Sequence, residues 1–369
     1  MSIIIFIVIL LVLVVSHEFG HFIVAKKSGI RVDEFSFGFP PKIYGKKIGE
    51  TTYNLNVIPF GGYVKIYGQG SDDFPGQNGE EVKDIKDPRS FTSKSRYIQV
   101  GVLVAGVVMN FLVAWLLLSV GYMSGLPSSV GMSPKGTVIN NQAITITSVI
   151  KGSPAEQVGL KVGDKLIKLS VEKDYTETTS AESVQYFIKK HGTESIKINY
   201  ERGPEAKELT IIPIKNKEGN SAIGIAMDNI GKLKLPIHRA IWEGLKLTSN
   251  LTIGTFEGFY KLISQAVVGK GDMSAMTGPI GIVGVVGDAA KFGFIYLLSF
   301  TALISVNLAV INLLPFPALD GGRILFILIE KIKGSPINPK VANTVNLIGF
   351  SLLMLLMIFI TYHDILKLL

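Results

Sequence analysis

The 369-residue chain contains no cysteine and only five histidines, and charged residues make up 18% of it. The absence of cysteine excludes disulfides, thiolate zinc ligands and a cysteine nucleophile. Although the net charge is +8, the basic residues are spread along the chain, so no nucleic-acid-binding stripe is indicated. The charge is instead typical of a protein at a membrane surface, and a metal site would have to use histidine and carboxylate.

Long apolar runs dominate what is present, since 47% of the residues are hydrophobic. Four runs are close to the ~20 residues that a helix needs to cross ~30 Å of hydrocarbon. The first has neither a basic n-region nor a small-residue cleavage site, so we expect a membrane helix rather than a signal peptide. The pattern predicts a polytopic α-helical membrane protein with about four transmembrane helices, at residues 1–25, 98–122, 292–330 (a helix followed by a broken segment) and 341–363.

The first run contains the sequence His17-Glu18-Phe19-Gly20-His21. Residues i and i+4 lie on one face of a helix, so His17 and His21 can both point at a single ion. This H-E-x-x-H spacing binds zinc in metalloproteases, with the glutamate as general base. Ionisable side chains are costly in hydrocarbon, which makes a chance occurrence here less favourable than on a solvated helix. We therefore expect His17 and His21 as metal ligands and Glu18 as the catalytic base.

Three other segments differ in composition from the apolar runs. Residues 26–97 are polar, with strand-like stretches within 51–67 that predict a membrane-associated β-hairpin or small sheet. Residues 124–235 alternate strand-like runs with turns around one expected helix, Ala181 to Lys190, which is typical of a compact inserted α+β domain. Residues 236–291 mix apolar and charged positions and predict one or two amphipathic helices on the membrane, with a fifth span as the alternative.

A catalytic zinc needs a third protein ligand, and Asp320 is the candidate. It follows a stretch broken by Pro315, Pro317 and a glycine pair, which would let its carboxylate turn toward the metal. The alternative is an ordinary aspartate that caps the helix from residue 322 to 330. The bare chemistry leaves both interpretations open. The remaining histidines lie in contexts that do not match a metal site: His191, His238 and His363.

Together, His17 to His21 and the run Asn312-Leu-Leu-Pro-Phe-Pro-Ala-Leu-Asp-Gly-Gly322 resemble the motifs of the site-2 protease family. The resemblance is closest to the bacterial regulator of sigma-E protease type. It implies an M50-type intramembrane zinc metalloprotease in which Zn²⁺ is held by His17, His21 and Asp320, with Glu18 as the base.

The resemblance also assigns three asparagines to substrate binding or transition-state support. Asn307 and Asn312 match polar positions of the family's third span. Residues 106–111 resemble its second-span motif, but Gly106-Val107 stands where the family has Gly-Pro. This departure leaves the role of Asn110 open.

The inserted domain resembles a bacterial PDZ domain through the run Ile150-Lys-Gly-Ser-Pro-Ala155, then Gly159-Leu160 and Gly163-Asp164. One such domain is present. The resemblance implies cleavage of single-span membrane proteins, such as anti-sigma factors or remnant signal peptides, within the lipid bilayer. The alternative is a membrane-bound PDZ scaffold with a non-catalytic metal site.

Loop charge predicts an orientation in the cell membrane. Residues 26–96 and 323–340 are rich in lysine and arginine, which places both in the cytoplasm by the positive-inside rule. The PDZ-like domain would then be extracytoplasmic, and the zinc would lie toward the cytoplasmic side. A substrate helix must be unwound before cleavage, and an edge of the strands within 51–67 is a candidate for holding it by β-augmentation.

Overall fold

The computed structural model describes residues 1–69, 87–134, 136–172, 174–215, 219–269 and 278–368. The chain divides into two compact units. The first unit comprises Met1–Leu118, Gly244–Gly287 and Phe300–Leu369, and the second comprises Ser119–Glu243 and Asp288–Ser299.

The α-helices of the described residues are α1 Ser2–Lys27, α2 Arg96–Ser124, α3 Pro154–Gln157, α4 Ala181–Lys190, α5 Ile237–Val267, α6 Pro279–Phe292, α7 Phe294–Leu313, α8 Asp320–Lys333 and α9 Pro339–Leu368. The strands are β1 Val32–Ile48, β2 Thr51–Ile66, β3 Leu126–Ser129, β4 Ile139–Val149, β5 Lys165–Val171, β6 Asp174–Glu177, β7 Ile196–Arg202, β8 Glu205–Ile211, β9 Ile214–Lys215, β10 Ser221–Ala222 and β11 Ile225–Leu233.

Four helices in the described part of the chain are long and apolar enough to cross a membrane: α1, α2, α7 and α9. This number agrees with the four spans that the sequence predicts. At 31 residues, α5 is one continuous helix and is not among the four. One of its faces packs Leu247, Leu251 and Phe259 against residues of α2 and α7. The segment expected to be amphipathic, residues 236–291, also contains nearly all of α6, which begins at Pro279.

One side of α1 is buried although the helix is apolar all around. Its buried residues follow a spacing of three or four along the helix: Phe6, Ile9, Leu13, His17, Gly20, His21 and Ala25. Both histidines of the motif therefore point into the protein rather than outward. Near the end of α1, a hydrophobic cluster joins Ala25 to the β-hairpin, to Val102 and Leu103 of α2 and to Ile327 of α8. This cluster fixes the helices that surround the motif.

The loop between α1 and α2 forms a long antiparallel hairpin, β1–β2. The sequence predicts strands only within 51–67. It does not predict β1, because that segment has no strand pattern. Gly38, Gly45 and the pair Pro40-Pro41 interrupt β1, and such residues normally argue against a strand. The hairpin is folded over itself, so Phe35 pairs with both Val64 and Tyr53. Residues 34–37 thus lie between the two ends of β2.

The second unit contains a seven-stranded sheet in the order β3-β11-β4-β5-β7-β8, with β6 paired to β5. Buried residues of β4, β5 and β7 form its core with α4, including Ile144, Ile146, Leu169, Ile196 and Phe187. The helix expected at Ala181 to Lys190 is α4, and Ser180 caps it through reciprocal bonds with Ser183. This sheet with a packed helix has the α+β character expected of the inserted domain.

Candidate metal centre

The first unit brings three ligand atoms of His17, His21 and Asp320 together at one point. His17 Nε2 lies 3.0 Å from Asp320 Oδ2, and His21 Nε2 lies 3.1 Å from His17 Nε2 and 3.3 Å from Asp320 Oδ2. Both histidines are 7% exposed. The aspartate is 303 positions from His17 in sequence, so the site depends on the tertiary fold.

The spacing of these atoms fits a zinc ion. Tetrahedral coordination with bonds of about 2.0–2.1 Å places ligand atoms about 3.3–3.4 Å apart. The observed separations of 3.0–3.3 Å are slightly shorter. A circle through the three atoms has a radius of about 1.8 Å, so a point at zinc-bond distance from all three lies just outside their plane. Two imidazoles and a carboxylate also match the donor set of catalytic zinc, which keeps the fourth position open.

The orientation of His21 is fixed by α2. Its Nδ1 lies 2.8 Å from the carbonyl oxygen of Val102. A carbonyl only accepts, so Nδ1 carries the proton and Nε2 presents a lone pair to the other two ligands. Such a hydrogen bond to the second ring nitrogen is the usual support of a metal-binding histidine.

Two glycines allow α1 and α2 to approach closely enough for this contact. A Cβ on Gly20 of α1 would lie 2.3 Å from the carbonyl oxygen of Ala105. A Cβ on Gly106 of α2 would lie 2.5 Å from His21 Nε2 and 2.6 Å from His17 Cε1. Gly106 therefore forms the wall of the site beneath both imidazoles. Sequence reasoning assigned Gly106 no role, because this contact depends on the register of α2 against α1.

Asp320 is the first residue of α8, which Leu319 caps without a side-chain hydrogen bond. Its carboxylate faces the histidines, so the interpretation of Asp320 as a helix cap is wrong. Two glycines let the preceding segment fold tightly. A Cβ on Gly321 would lie 2.2 Å from the carbonyl oxygen of Leu314, and one on Gly322 would lie 2.2 Å from that of Phe316.

Glu18 lies beside this trio on α1 and is partly exposed. The hairpin passes close to it, since a Cβ on Gly62 of β2 would lie 3.9 Å from Glu18 Cγ. Aromatic contacts hold the hairpin on α1, with ring centroids 5.3 Å apart for Phe22 and Phe35 and 6.1 Å apart for Phe22 and Tyr53. Glu18 therefore lies next to both the candidate metal ligands and β2.

The three asparagines have different surroundings. Asn110 is fully buried, and its Nδ2 lies 3.5 Å from His17 Nδ1. Asn307 accepts a hydrogen bond of 3.3 Å from Thr255 Oγ1 of α5. Asn312 is partly buried near the end of α7. Of the three, Asn110 has the observed contact with a candidate ligand.

A zinc-dependent peptidase centre can be made of two imidazoles, one carboxylate as the third ligand and an adjacent glutamate. The family model described as peptidase family M50 matches residues 5–356. The chain belongs to this family. It is a zinc metalloprotease of the intramembrane, site-2 type, which confirms the resemblance seen in the sequence.

Relatives match along almost the whole chain. A putative zinc metalloprotease of Clostridium acetobutylicum is 35% identical, over 96% of this chain and 94% of its own length. The regulator of sigma E protease of Haemophilus influenzae is 29% identical, over 98% of each chain. A PDZ domain of the SdrC-like protein from Listeria monocytogenes is 23% identical and covers 23% of this chain and 86% of its own, with a TM-score of 0.21.

Proposed function

We propose that His17, His21 and Asp320 hold the zinc and that Glu18 is the general base for hydrolysis of a peptide bond within a transmembrane segment. The observation that carries this proposal is the triangle of ligand atoms, 3.0 to 3.3 Å apart, built on a helix apolar enough to span a membrane. Several buried ionisable groups in such a helix are costly unless a ligand compensates them.

A zinc ion held by His17, His21 and Asp320 would polarise the scissile carbonyl and would lower the pKa of a water molecule to about 7. Glu18 takes a proton from the attacking water onto its carboxylate and passes it to the leaving amide nitrogen. The water oxygen forms a bond to the carbonyl carbon, the carbon–nitrogen bond breaks as the nitrogen is protonated, and the products are a carboxylic acid and an amine. His21, fixed by the Val102 carbonyl, and His17 keep their Nε2 atoms toward the reacting centre throughout.

The hairpin beside Glu18 is suited to present a substrate strand. Residues 62–66 of β2 pair with residues 32–37 of β1, and in the described register this stretch pairs with no other strand. A substrate helix has its backbone groups satisfied internally, so it must unwind before Glu18 can act on a peptide bond. Strand addition to this edge would hold the unwound segment by main-chain hydrogen bonds next to the base.

We propose single-span membrane proteins as substrates, with anti-sigma factors first and remnant signal peptides second. The name of the Haemophilus relative, which refers to regulation of sigma E, supports the first class. The positive-inside rule supports a cytoplasmic hairpin and an extracytoplasmic PDZ-like second unit in the cell membrane, because Lys26 and Lys27 end α1 where the hairpin begins.

The test is cleavage of a fluorescent single-span substrate by the full-length protein in detergent, beside Glu18→Gln. We expect the variant to keep its zinc but to cleave about 10²–10⁴-fold more slowly, because its amide cannot accept the proton. Equal cleavage by both proteins would refute the role of Glu18. Substrate binding without cleavage by the zinc-loaded parent would instead favour a scaffold with a non-catalytic metal site.

A further inference from the structure

Asn110 carries an unsatisfied polar atom next to a candidate zinc ligand. The residue is 0% exposed, and its Oδ1 is buried with no hydrogen-bond partner among the described residues. Its other amide atom, Nδ2, lies 3.5 Å from His17 Nδ1. A buried amide oxygen without a donor is costly and calls for an explanation.

The chemistry of His17 supplies the missing donor. Its Nε2 faces Asp320 Oδ2 at 3.0 Å and His21 Nε2 at 3.1 Å, so this nitrogen is the one that would bind the metal. A neutral imidazole that binds a metal through Nε2 carries its proton on Nδ1. That N–H needs an acceptor, which an amide NH₂ group cannot provide.

A half-turn of the Asn110 amide resolves both requirements. Rotation by 180° exchanges the nitrogen and oxygen without displacing any other atom. The oxygen then faces the Nδ1–H of His17 and gains the donor it lacks. A separation of 3.5 Å is at the long limit for a hydrogen bond, so a shift of a few tenths of an ångström completes the contact.

The position of Asn110 on α2 repeats the support given to His21. Val102, Gly106 and Asn110 are four residues apart and lie on one face of the helix. Val102 accepts from His21, and Gly106 leaves room for both imidazoles. The backbone carbonyl of Asn110 is itself held by Ser305 Oγ of α7 at 2.8 Å. One face of α2 thus contacts both histidines.

We propose that Asn110 is a positioning residue whose amide oxygen accepts from His17 Nδ1–H and fixes the ring with Nε2 toward the zinc. This inference rests on the proposed function of His17 as a ligand. It differs from the role in substrate binding that the family resemblance implies, because it acts on metal affinity and reaches substrate only through His17.

The test measures zinc affinity of the full-length protein in detergent by competition with a chromophoric chelator. Asn110→Leu keeps the side-chain size but removes the acceptor, and we expect zinc to bind about 10–100-fold more weakly. Asn110→Asp keeps the shape and supplies only acceptors, so we expect an affinity within about threefold of the parent. Ser305→Ala is the matched control, since it removes the bond to the Asn110 backbone and leaves the amide in place.

Kinetics separate this role from substrate binding. We expect Asn110→Leu, assayed at limiting free zinc, to lose kcat with its metal while KM is unchanged. Parent-like zinc affinity with a raised KM would overturn the proposal. If Asn110→Leu does not fold, Asn110→Asp decides alone, because zinc binding more than tenfold weaker than the parent would contradict an acceptor role.

His17→Ala distinguishes failure of this inference from failure of the proposed function. Unchanged zinc affinity in His17→Ala would show that His17 is not a ligand, which would overturn both. A large loss in His17→Ala beside parent-like affinity in Asn110→Leu would overturn the positioning role alone.

Discussion

Gly106 and His21 approach each other so closely that a single added methyl group would collide with the imidazoles of the candidate metal centre. A Cβ on Gly106 would lie 2.5 Å from His21 Nε2, the atom that faces Asp320. Most glycines in helices are replaceable at a small gain in helix propensity. Here α2 has no side chain at Gly106, and the arrangement of the two imidazoles depends on the space this leaves.

We expect Gly106→Ala to weaken zinc binding by at least tenfold. The new methyl group must either push an imidazole away from the other two ligand atoms or separate α1 from α2.

 Gly101→Ala is the matched control on the same helix, since a Cβ there has nothing within 4 Å. Chelator competition measures both variants. Parent-like zinc affinity in Gly106→Ala would show that this close packing does not control the candidate metal centre.

Removal of the metal should abolish activity and reduce stability, and both effects should be reversible. We expect a chelator to abolish cleavage and lower the melting temperature, because a ligand that binds only the folded state stabilises it. Zinc should restore both properties in the parent. In Asp320→Ala, which lacks the proposed third ligand, zinc should restore neither, and a full recovery of this variant would argue that another residue completes the site.

In the second unit, the ion pair of Asp164 with Arg202 should stabilise the fold. The Asp164 carboxylate is 0% exposed, and Arg202 Nε and Nη2 each lie 2.7 Å from one of its oxygens. We expect Arg202→Met to destabilise this unit by about 3–5 kcal/mol, because it leaves a buried charge without its partner. Hydrogen exchange of the amides in β4 and β5 of the full chain measures the loss.

Lys197→Met provides the comparison for Arg202→Met. Lys197 pairs with Glu208 at 2.7 Å, but both side chains are about half exposed, at 53% and 47%. Exposed pairs contribute about 0–1 kcal/mol, so exchange should change little. Equal effects of the two variants would mean that burial does not set the strength of the Asp164 pair.

The second unit should also lose stability in acid through Asp174. Hydrogen bonds from Lys190 and His191 hold the pKa of the Asp174 carboxyl below its ordinary value of 3.8. The folded state therefore releases this proton more readily than the unfolded state. The stabilisation is complete above the ordinary pKa and disappears as the pH falls through the lowered one.

Asp174→Asn tests this pH dependence. We expect the variant to be less stable than the parent near pH 7 and to approach it as the pH falls below about 4, because the parent then loses the same charge. Hydrogen exchange of α4 amides at several pH values follows the difference. A difference that stays constant down to pH 2 would exclude Asp174 as its source.

Local patterns predicted the part of the centre that one helix builds. His17 and His21 are four residues apart, and helix geometry alone puts them on one face. Asp320 comes from a distant segment, so its composition suggested a ligand but could not exclude a helix cap. The supporting contacts of Val102 and Gly106 depend on how α2 packs against α1, which no pattern within either helix encodes.

The same distinction applies to the fold. The helix at Ala181 to Lys190 has a capping serine and an apolar face, and both signals are local. Strand β1 was missed because its glycines and prolines resemble a loop. Its pairing with both ends of β2, and the contact of Phe35 with Phe22 of α1, are tertiary features that the local sequence does not encode. The apolar surface of α1 likewise hid its buried side, since hydrophobic residues occupy every face of that helix.

The distance in sequence between His17 and Asp320 has a consequence for biosynthesis. These two residues are separated by 303 positions, and α8 follows the whole of the second unit in the chain. A nascent chain therefore inserts its H-E-x-x-H helix long before the ribosome has made Asp320, the proposed third ligand. If Asp320 is the third ligand, the nascent protein cannot cleave neighbouring membrane proteins until α8 has been made.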